Sequence, residues 1–191
     1  DRVAMLAYNG SEFFELQFAC GRIGCIAVLL NWRLTVSELD YICNDSTPLV
    51  LIHDVGFTDV AEELQRRCAI KELIAIDTGS ATSDYETGLA AADTPPVPVE
   101  LTHDDASTIM YTSGTTGHPK GVKRARAATV DLAFESLGRS SLTLGLDGGG
   151  PHLVTGPLYH AAPVGFAVID LVAGAPLILM PRFDALETLR L

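Results

Sequence analysis

Cys25-Ile-Ala-Val-Leu-Leu30 carries no polar side chain and is too short for a core helix. Such a run suits a strand buried on both faces of a parallel sheet, and that strand obliges the chain to supply a helical layer above and below it. The neighbouring segments meet the demand. Val3 to Tyr8 reads as an opening strand, the turn Asn9-Gly10-Ser11 follows, and Asn9 or Ser11 is placed to cap a helix running to about Gly21. Thr35-Val-Ser-Glu38 is a capping box that starts a second helix, ending near Asn44 ahead of Pro48. Leu49 to His53 is the next strand, Thr58 caps a third helix to about Arg67, and Glu72 to Ile76 returns as a strand. The order β-α-β-α-β-α-β predicts an α/β fold of layered, doubly wound sheets with flanking helices.

The texture then changes. Asp77 to Asp105 is rich in Thr, Ala, Pro and Asp, with Pro95-Pro96 and Pro98 near its end, and reads as a surface connection carrying one short helix around Gly88 to Ala92. Ser107 to Tyr111 is a strand, Ala127 to about Leu144 has helical propensity, Asp147 to Gly150 is a turn, and His152 to Thr155 is a short strand. The apolar stretch Ala161 to Met180 holds a single charge, Asp170, and is broken by Pro163, Gly174 and Pro176. Those breaks divide it into a helix of about a dozen residues and a strand over Ala175 to Met180, buried in a core rather than spanning a membrane. The expected division is a first βαβ half over 1–76, a connection over 77–105 and a second half over 106–191.

The loop after the fifth strand carries the chemistry. Tyr111-Thr-Ser-Gly-Thr-Thr-Gly-His-Pro-Lys-Gly-Val122 combines small hydroxyl side chains, glycines and one ammonium with no acid. Glycines allow consecutive backbone N–H groups to turn inward, hydroxyls add neutral donors, and Lys120 supplies the charge that balances a polyphosphate. A Walker loop is excluded, because Pro119 removes a donor that motif requires and Gly121 follows the lysine where a hydroxyl should stand. The dinucleotide fingerprint fails because Gly114-Thr-Thr-Gly117 lacks its first glycine, and neither Ser113 nor Ser140 sits in a hydrolase nucleophile elbow.

Charge sharpens that reading. The chain carries a formal net charge of −11, which argues against general affinity for nucleic acid or an anionic membrane. Yet Lys120, Lys123, Arg124 and Arg126 fall within one acid-free stretch. They form either a local field that draws in a polyanion or, for the last three, a solvated basic face. Cys20, Cys25, Cys43 and Cys68 show no metal or disulfide spacing, and with no signal peptide read at the start, a reducing, cytoplasmic setting is the expectation.

Thr112-Ser-Gly-Thr-Thr-Gly-His-Pro-Lys-Gly121 resembles the signature loop of the adenylate-forming superfamily, which includes acyl-CoA synthetases, luciferases and peptide-synthetase adenylation domains. Asn31-Trp-Arg-Leu-Thr-Val-Ser-Glu-Leu39 resembles the segment these enzymes carry after their second strand, and Gly156-Pro-Leu-Tyr-His160 resembles their acyl-pocket motif. The resemblance covers nearly the whole chain as an excerpt of the large N-terminal domain. It implies ATP-dependent activation of a carboxylic acid to an acyl-adenylate, followed by transfer to CoA. Thr112, Ser113, Gly114, Thr115, Thr116, Gly117 and Lys120 would wrap the β- and γ-phosphates of ATP, and Thr112 would also contact Mg²⁺. Lys120 and His160 would be the catalytic pair, His160 lying between nucleotide and acyl group, with Gly165 and Phe166 lining the acyl tunnel. A histidine packed at a strand end is the plain alternative for His160; the preceding Pro-Leu-Tyr favours the functional one. Ala161, Ala162 and Pro163 beside it point to an apolar acid without an amine.

Trp32 and Tyr41 read as packing residues. The chain opens without Met on a strand and stops inside a helical pattern, so an excerpt inactive alone is expected, with the adenine, ribose and C-terminal-domain sites lying elsewhere. Delivery to a carrier protein instead of CoA, and a non-catalytic nucleotide-binding or interaction module, are the other readings. Expected partners are the small molecules themselves, with no nucleic acid and no integral membrane span; a homodimer is compatible.

Overall fold

The computed structural model describes the chain apart from Thr78, Pro96, Pro98, His103, residues 113–118, Arg126 and Ala128. Strands β1 (Arg2–Leu6), β2 (Ile26–Leu29), β3 (Val50–Asp54), β4 (Glu72–Ile76), β5 (Ala106–Thr112) and β6 (Lys120–Ala125) form one sheet in the order β4-β3-β1-β2-β5-β6. All neighbours are parallel except β5 and β6, which pair antiparallel. The first four strands wind both ways from β1, so the direction of winding reverses between β1 and β3, as in a doubly wound sheet.

Alternation along each strand divides the core in two. Met5, Ala27, Leu29, Ile52 and Met110 face helix α1 (Glu12–Ile23), helix α6 (Ala161–Val172) and a second, two-stranded sheet. Ala4, Leu6, Val28, Leu51 and Ile109 face helices α2 (Val36–Ser46) and α3 (Thr58–Arg67). The apolar run at 25–30 is thus covered on both sides, and burying each of its large side chains is worth about 1.5–3 kcal/mol. The second sheet pairs β7 (His152–Val154) with β8 (Leu177–Leu179) in parallel. Asp170 is buried on α6 and pairs with His152 Nδ1 at 2.9 Å while accepting from the Gly148 N–H, so it serves as a joint between α6 and β7.

Local signals explain most boundaries. Thr35 accepts from the Glu38 N–H and the Glu38 carboxylate accepts from the Thr35 N–H, the complete capping box. That geometry also holds the Glu38 carboxyl below its usual range, chiefly through the Thr35 backbone bond. Helix α1 ends at Gly24, whose φ of 75° is the left-handed turn that glycine adopts without strain. Three helix starts differ from expectation, and one expected cap lacks its side-chain bond. Ser11 occupies the N-cap of α1 without a side-chain bond, and Asn9 caps nothing, its amide being used elsewhere. A 3-10 turn over Val55–Phe57, capped by Asp54, precedes α3, so Thr58 begins that helix instead of capping it. Ser83 caps α4 (Asp84–Ala91) earlier than the expected start, because its side chain accepts from the Glu86 N–H. Helix α5 (Val130–Leu144) likewise begins at the Thr129 cap instead of Ala127. Helix α7 (Ala185–Thr188) closes the fold. Among the described residues no helix is long and apolar enough to cross a membrane.

Candidate functional site

The acid-free segment forms an antiparallel hairpin. Thr112 at the end of β5 stands opposite Lys120 at the start of β6, so the hydroxyl and the ammonium project from the same face of the pair. Tyr111 points to the other face, where its hydroxyl donates to Asp45 Oδ2 at 2.5 Å and its ring lies 3.1 Å from where a Cβ on Gly121 would stand. Burial first, and then the bond to Asp45, push the Tyr111 phenol above its ordinary range, so it stays protonated as a donor. The hairpin base is therefore clamped to α2 through Tyr111 while Thr112 and Lys120 remain exposed. Ser113, Gly114, Thr115, Thr116 and Gly117 fall outside the described residues.

His160 approaches this hairpin from the second sheet. It occupies the N-cap position of α6, extended at φ −99° and ψ 144°, and closes a turn with its N–H donating to the Pro157 carbonyl at 3.0 Å. Tyr159 is buried, lies edge-on to the His160 ring at 4.6 Å between centroids, and accepts a hydrogen bond from Arg33 Nη1. Arg33 also stacks over Trp32, its guanidinium carbon 4.3 Å from the ring centroid. Desolvation lowers the His160 pKa and the Arg33 charge lowers it further, so the ring is held neutral near neutral pH.

Two cavities meet at this point. One of about 90 Å³ is lined by Asn31, Leu34, Tyr111, Thr112, Tyr159 and His160 among others. The other, of about 200 Å³, is walled by Thr112, Val122, Arg124, Tyr159, His160 and Ala161 with Met110 and Tyr111 behind. Thr112 and His160, both singled out from sequence, thus share walls of both cavities, and Lys120 stands directly across the hairpin from Thr112. Arg124 faces the His160 cavity, whereas Lys123 lines a separate space of about 380 Å³ on the α2 side; Arg126 lies outside the described residues. Gly165 and Phe166 lie further along α6, with open space beside Gly165 and Phe166 42% exposed.

Sequence reasoning passed over the Arg33–Tyr159 contact, which joins residues 126 positions apart. The one sequence signal is that Arg33 lies within Asn31 to Leu39 and Tyr159 within Gly156 to His160, the two segments that resemble the adenylate-forming enzymes. Trp32 was read as packing, and it is: it stacks with Tyr8 and Phe57 at the ends of β1 and β3, with Arg182 over the Tyr8 ring. No group of three or more His, Cys, Asp or Glu side chains that could hold a metal occurs among the described residues.

The family model described as AMP-binding enzyme matches residues 1–191. The chain is 33% identical, over 97% of its length, to the long-chain-fatty-acid–CoA ligase FadD13 of Mycobacterium tuberculosis and spans 36% of that protein. It is 36% identical to a feruloyl-CoA synthase of an Amycolatopsis species, over 96% of the chain and 34% of the relative. Among solved structures, ATP-bound MatB from Rhodopseudomonas palustris superposes with a TM-score of 0.79 at 26% identity, covering 100% of this chain and 37% of that one. The chain thus spans about a third of the length of the relatives it matches, and within that span the match reaches from the first strand to the last helix. It belongs to the AMP-binding enzyme family.

Proposed function

We propose that the whole protein uses ATP to activate an apolar carboxylic acid, fatty or aromatic, and transfers the acyl group to CoA, with this chain supplying one wall of the nucleotide site and the acid-facing histidine. The observation that carries the reading is the shared wall: Thr112, cross-strand partner of the Lys120 ammonium, lines the same cavities as His160. In the first step a carboxylate oxygen attacks the α-phosphorus and the bond to pyrophosphate breaks. In the second, a thiol sulfur attacks the acyl carbon, AMP leaves and the thiol proton passes to solvent.

The chemical difficulty is that two anions must meet while charge builds on the departing pyrophosphate. Thr112 and Lys120, fixed opposite each other at the hairpin base, would answer it by being oriented in advance, and the hydroxyl and glycine residues of 113–117 are of the donor types that phosphate needs. Lys120 has no carboxylate partner among the described residues, which leaves its charge available for phosphate. The Thr112 hydroxyl is a suitable oxygen donor for Mg²⁺, which would neutralise phosphate charge. A neutral His160 donates a hydrogen bond to the carboxylate without protonating it, so the nucleophile keeps its charge. Ala161, Val122 and Met110 give the larger cavity its apolar lining, which favours a hydrocarbon chain or ring beyond the carboxylate. Gly165 and Phe166 would extend that wall along α6.

The experiment is acid-dependent pyrophosphate release by the whole protein across alkanoic, arylpropenoic and amino acids, followed by a choice between CoA and a phosphopantetheinyl carrier protein as acceptor. Apolar acids and CoA should support turnover. Selective turnover of amino acids, or transfer to the carrier alone, would refute the assignment.

A further inference from the structure

Asn9 follows β1 and is 8% exposed, with every hydrogen of its amide used. Its Nδ2 donates to the Gly156 carbonyl at 2.9 Å and to the Met180 carbonyl at 3.0 Å, and its Oδ1 accepts from the Leu158 N–H at 2.9 Å. Only an amide meets this triad. Two carbonyls require a donor and the peptide N–H requires an acceptor, so a carboxylate would face two carbonyl oxygens at the same sites. The partners are 147, 171 and 149 residues away in sequence. One side chain at the end of the central strand therefore joins both ends of the second sheet's outgoing loops.

The segment it grips leads directly into the site. Leu158 is fully buried, Tyr159 is pinned by Arg33, and His160 follows in the same turn. The turn also packs closely on Pro163 in the first turn of α6, where a Cβ added to Gly156 would lie 2.6 Å from the ring. Any displacement of Gly156 to Leu158 is consequently carried into His160 and into the cavity wall it shares with Thr112.

We propose that Asn9 is a positioning residue, which fixes the 156–160 turn against β1 and thereby sets where the His160 ring stands relative to Thr112 and Lys120. This rests on the reading of His160 as the acid-facing residue. Asn9 touches none of the reacting atoms; it acts through the turn.

The test compares Asn9→Asp and Asn9→Ala in the whole protein with Tyr85→Phe, a control that removes a remote bond from α4 to Glu15 (2.7 Å). At a temperature where circular dichroism reports all variants folded, Asn9→Asp should lose on the order of 100-fold in kcat/KM for the acid, the scale of an ångström's misplacement, despite its nearly unchanged volume. The KM for ATP should stay within about twofold, because the hairpin is not held by Asn9. Tyr85→Phe should lower the melting temperature and leave the acid KM alone. Native kcat/KM in Asn9→Asp, or a loss shared equally by ATP, overturns the proposal. A readout free of mutation accompanies it: in the wild-type chain the Leu158 amide should be strongly protected from hydrogen exchange, and exchange at the rate of an unstructured peptide overturns it too. Should no acid be activated by the wild type, the proposed function fails, while Leu158 exchange and a shift of the His160 ring resonances in Asn9→Asp, absent from Tyr85→Phe, still decide the role of Asn9.

Discussion

Strands β1 and β6 belong to one sheet and meet opposite demands. In β1, Ala4, Met5 and Leu6 have no exposed surface, and β2 and β3 pair with the strand on both sides. Strand β6 is exposed along its whole length, lies at the sheet edge, and carries Lys120, Lys123 and Arg124. A central strand is specified by packing on both faces, whereas an edge strand rich in cations is specified by its partner and by charge that discourages further pairing. Under the proposed function the difference separates labour: folding free energy resides around β1 to β4, and ligand chemistry would be presented from the hairpin, whose exposed side chains can change with little effect on the core.

Substitutions can break that comparison. The largest expected effect on stability is Leu51→Ala, at a fully buried position on β3, which should cost about 2–5 kcal/mol in urea unfolding. Val122→Ala, half exposed on β6, should stay within about 0.5 kcal/mol. Equal costs for the two would erase the distinction. Gly121→Ala sharpens it, because this β6 position behaves like core: a Cβ would stand 3.1 Å from the Tyr111 ring and 3.2 Å from Ile109, and about 1–3 kcal/mol should be lost in the same assay.

The smallest effect is a pH dependence. The His160 pKa is lowered in the folded chain, by desolvation and then by Arg33, so the unfolded chain binds a proton first as pH falls from 6.5. Stability contributed here is present above that pH and declines as acidification proceeds toward the folded value. His160→Gln should therefore lose stability less steeply than wild type over that window in parallel urea titrations; identical slopes would show that the ring's surroundings do not disfavour its charge.

Much of the fold was readable in the sequence because the signals there are local. The capping box at Thr35, the apolar run at 25–30 and the breaks within 161–180 act through neighbours in sequence, and the corresponding elements form close to where they were expected. Strand β6 escaped notice because Lys-Gly-Val-Lys-Arg-Ala has neither the apolar content nor the alternation of a strand; it forms through pairing with β5. With Ser11 at the N-cap of α1, Asn9, the other candidate cap, is drawn away for the same reason in reverse. Its position before a helix suggests a cap, but buried carbonyls from 156 and 180 compete for the amide and win. In the candidate site, Thr112, Lys120 and His160 are legible as members of the resembled motifs, while Arg33's bond to Tyr159 depends on two segments meeting in space.

Under the proposed function, Lys120 serves ligand chemistry from an edge that the fold does not depend on. The direct measurement is acid-dependent ATP–pyrophosphate exchange in the whole protein for wild type and Lys120→Ala, with urea unfolding of the same samples. Exchange should fall on the order of 100-fold or more, as when an oriented electrostatic partner is removed, while the unfolding midpoint stays in place. An unchanged exchange rate, or a loss that merely follows the unfolded fraction, would contradict it.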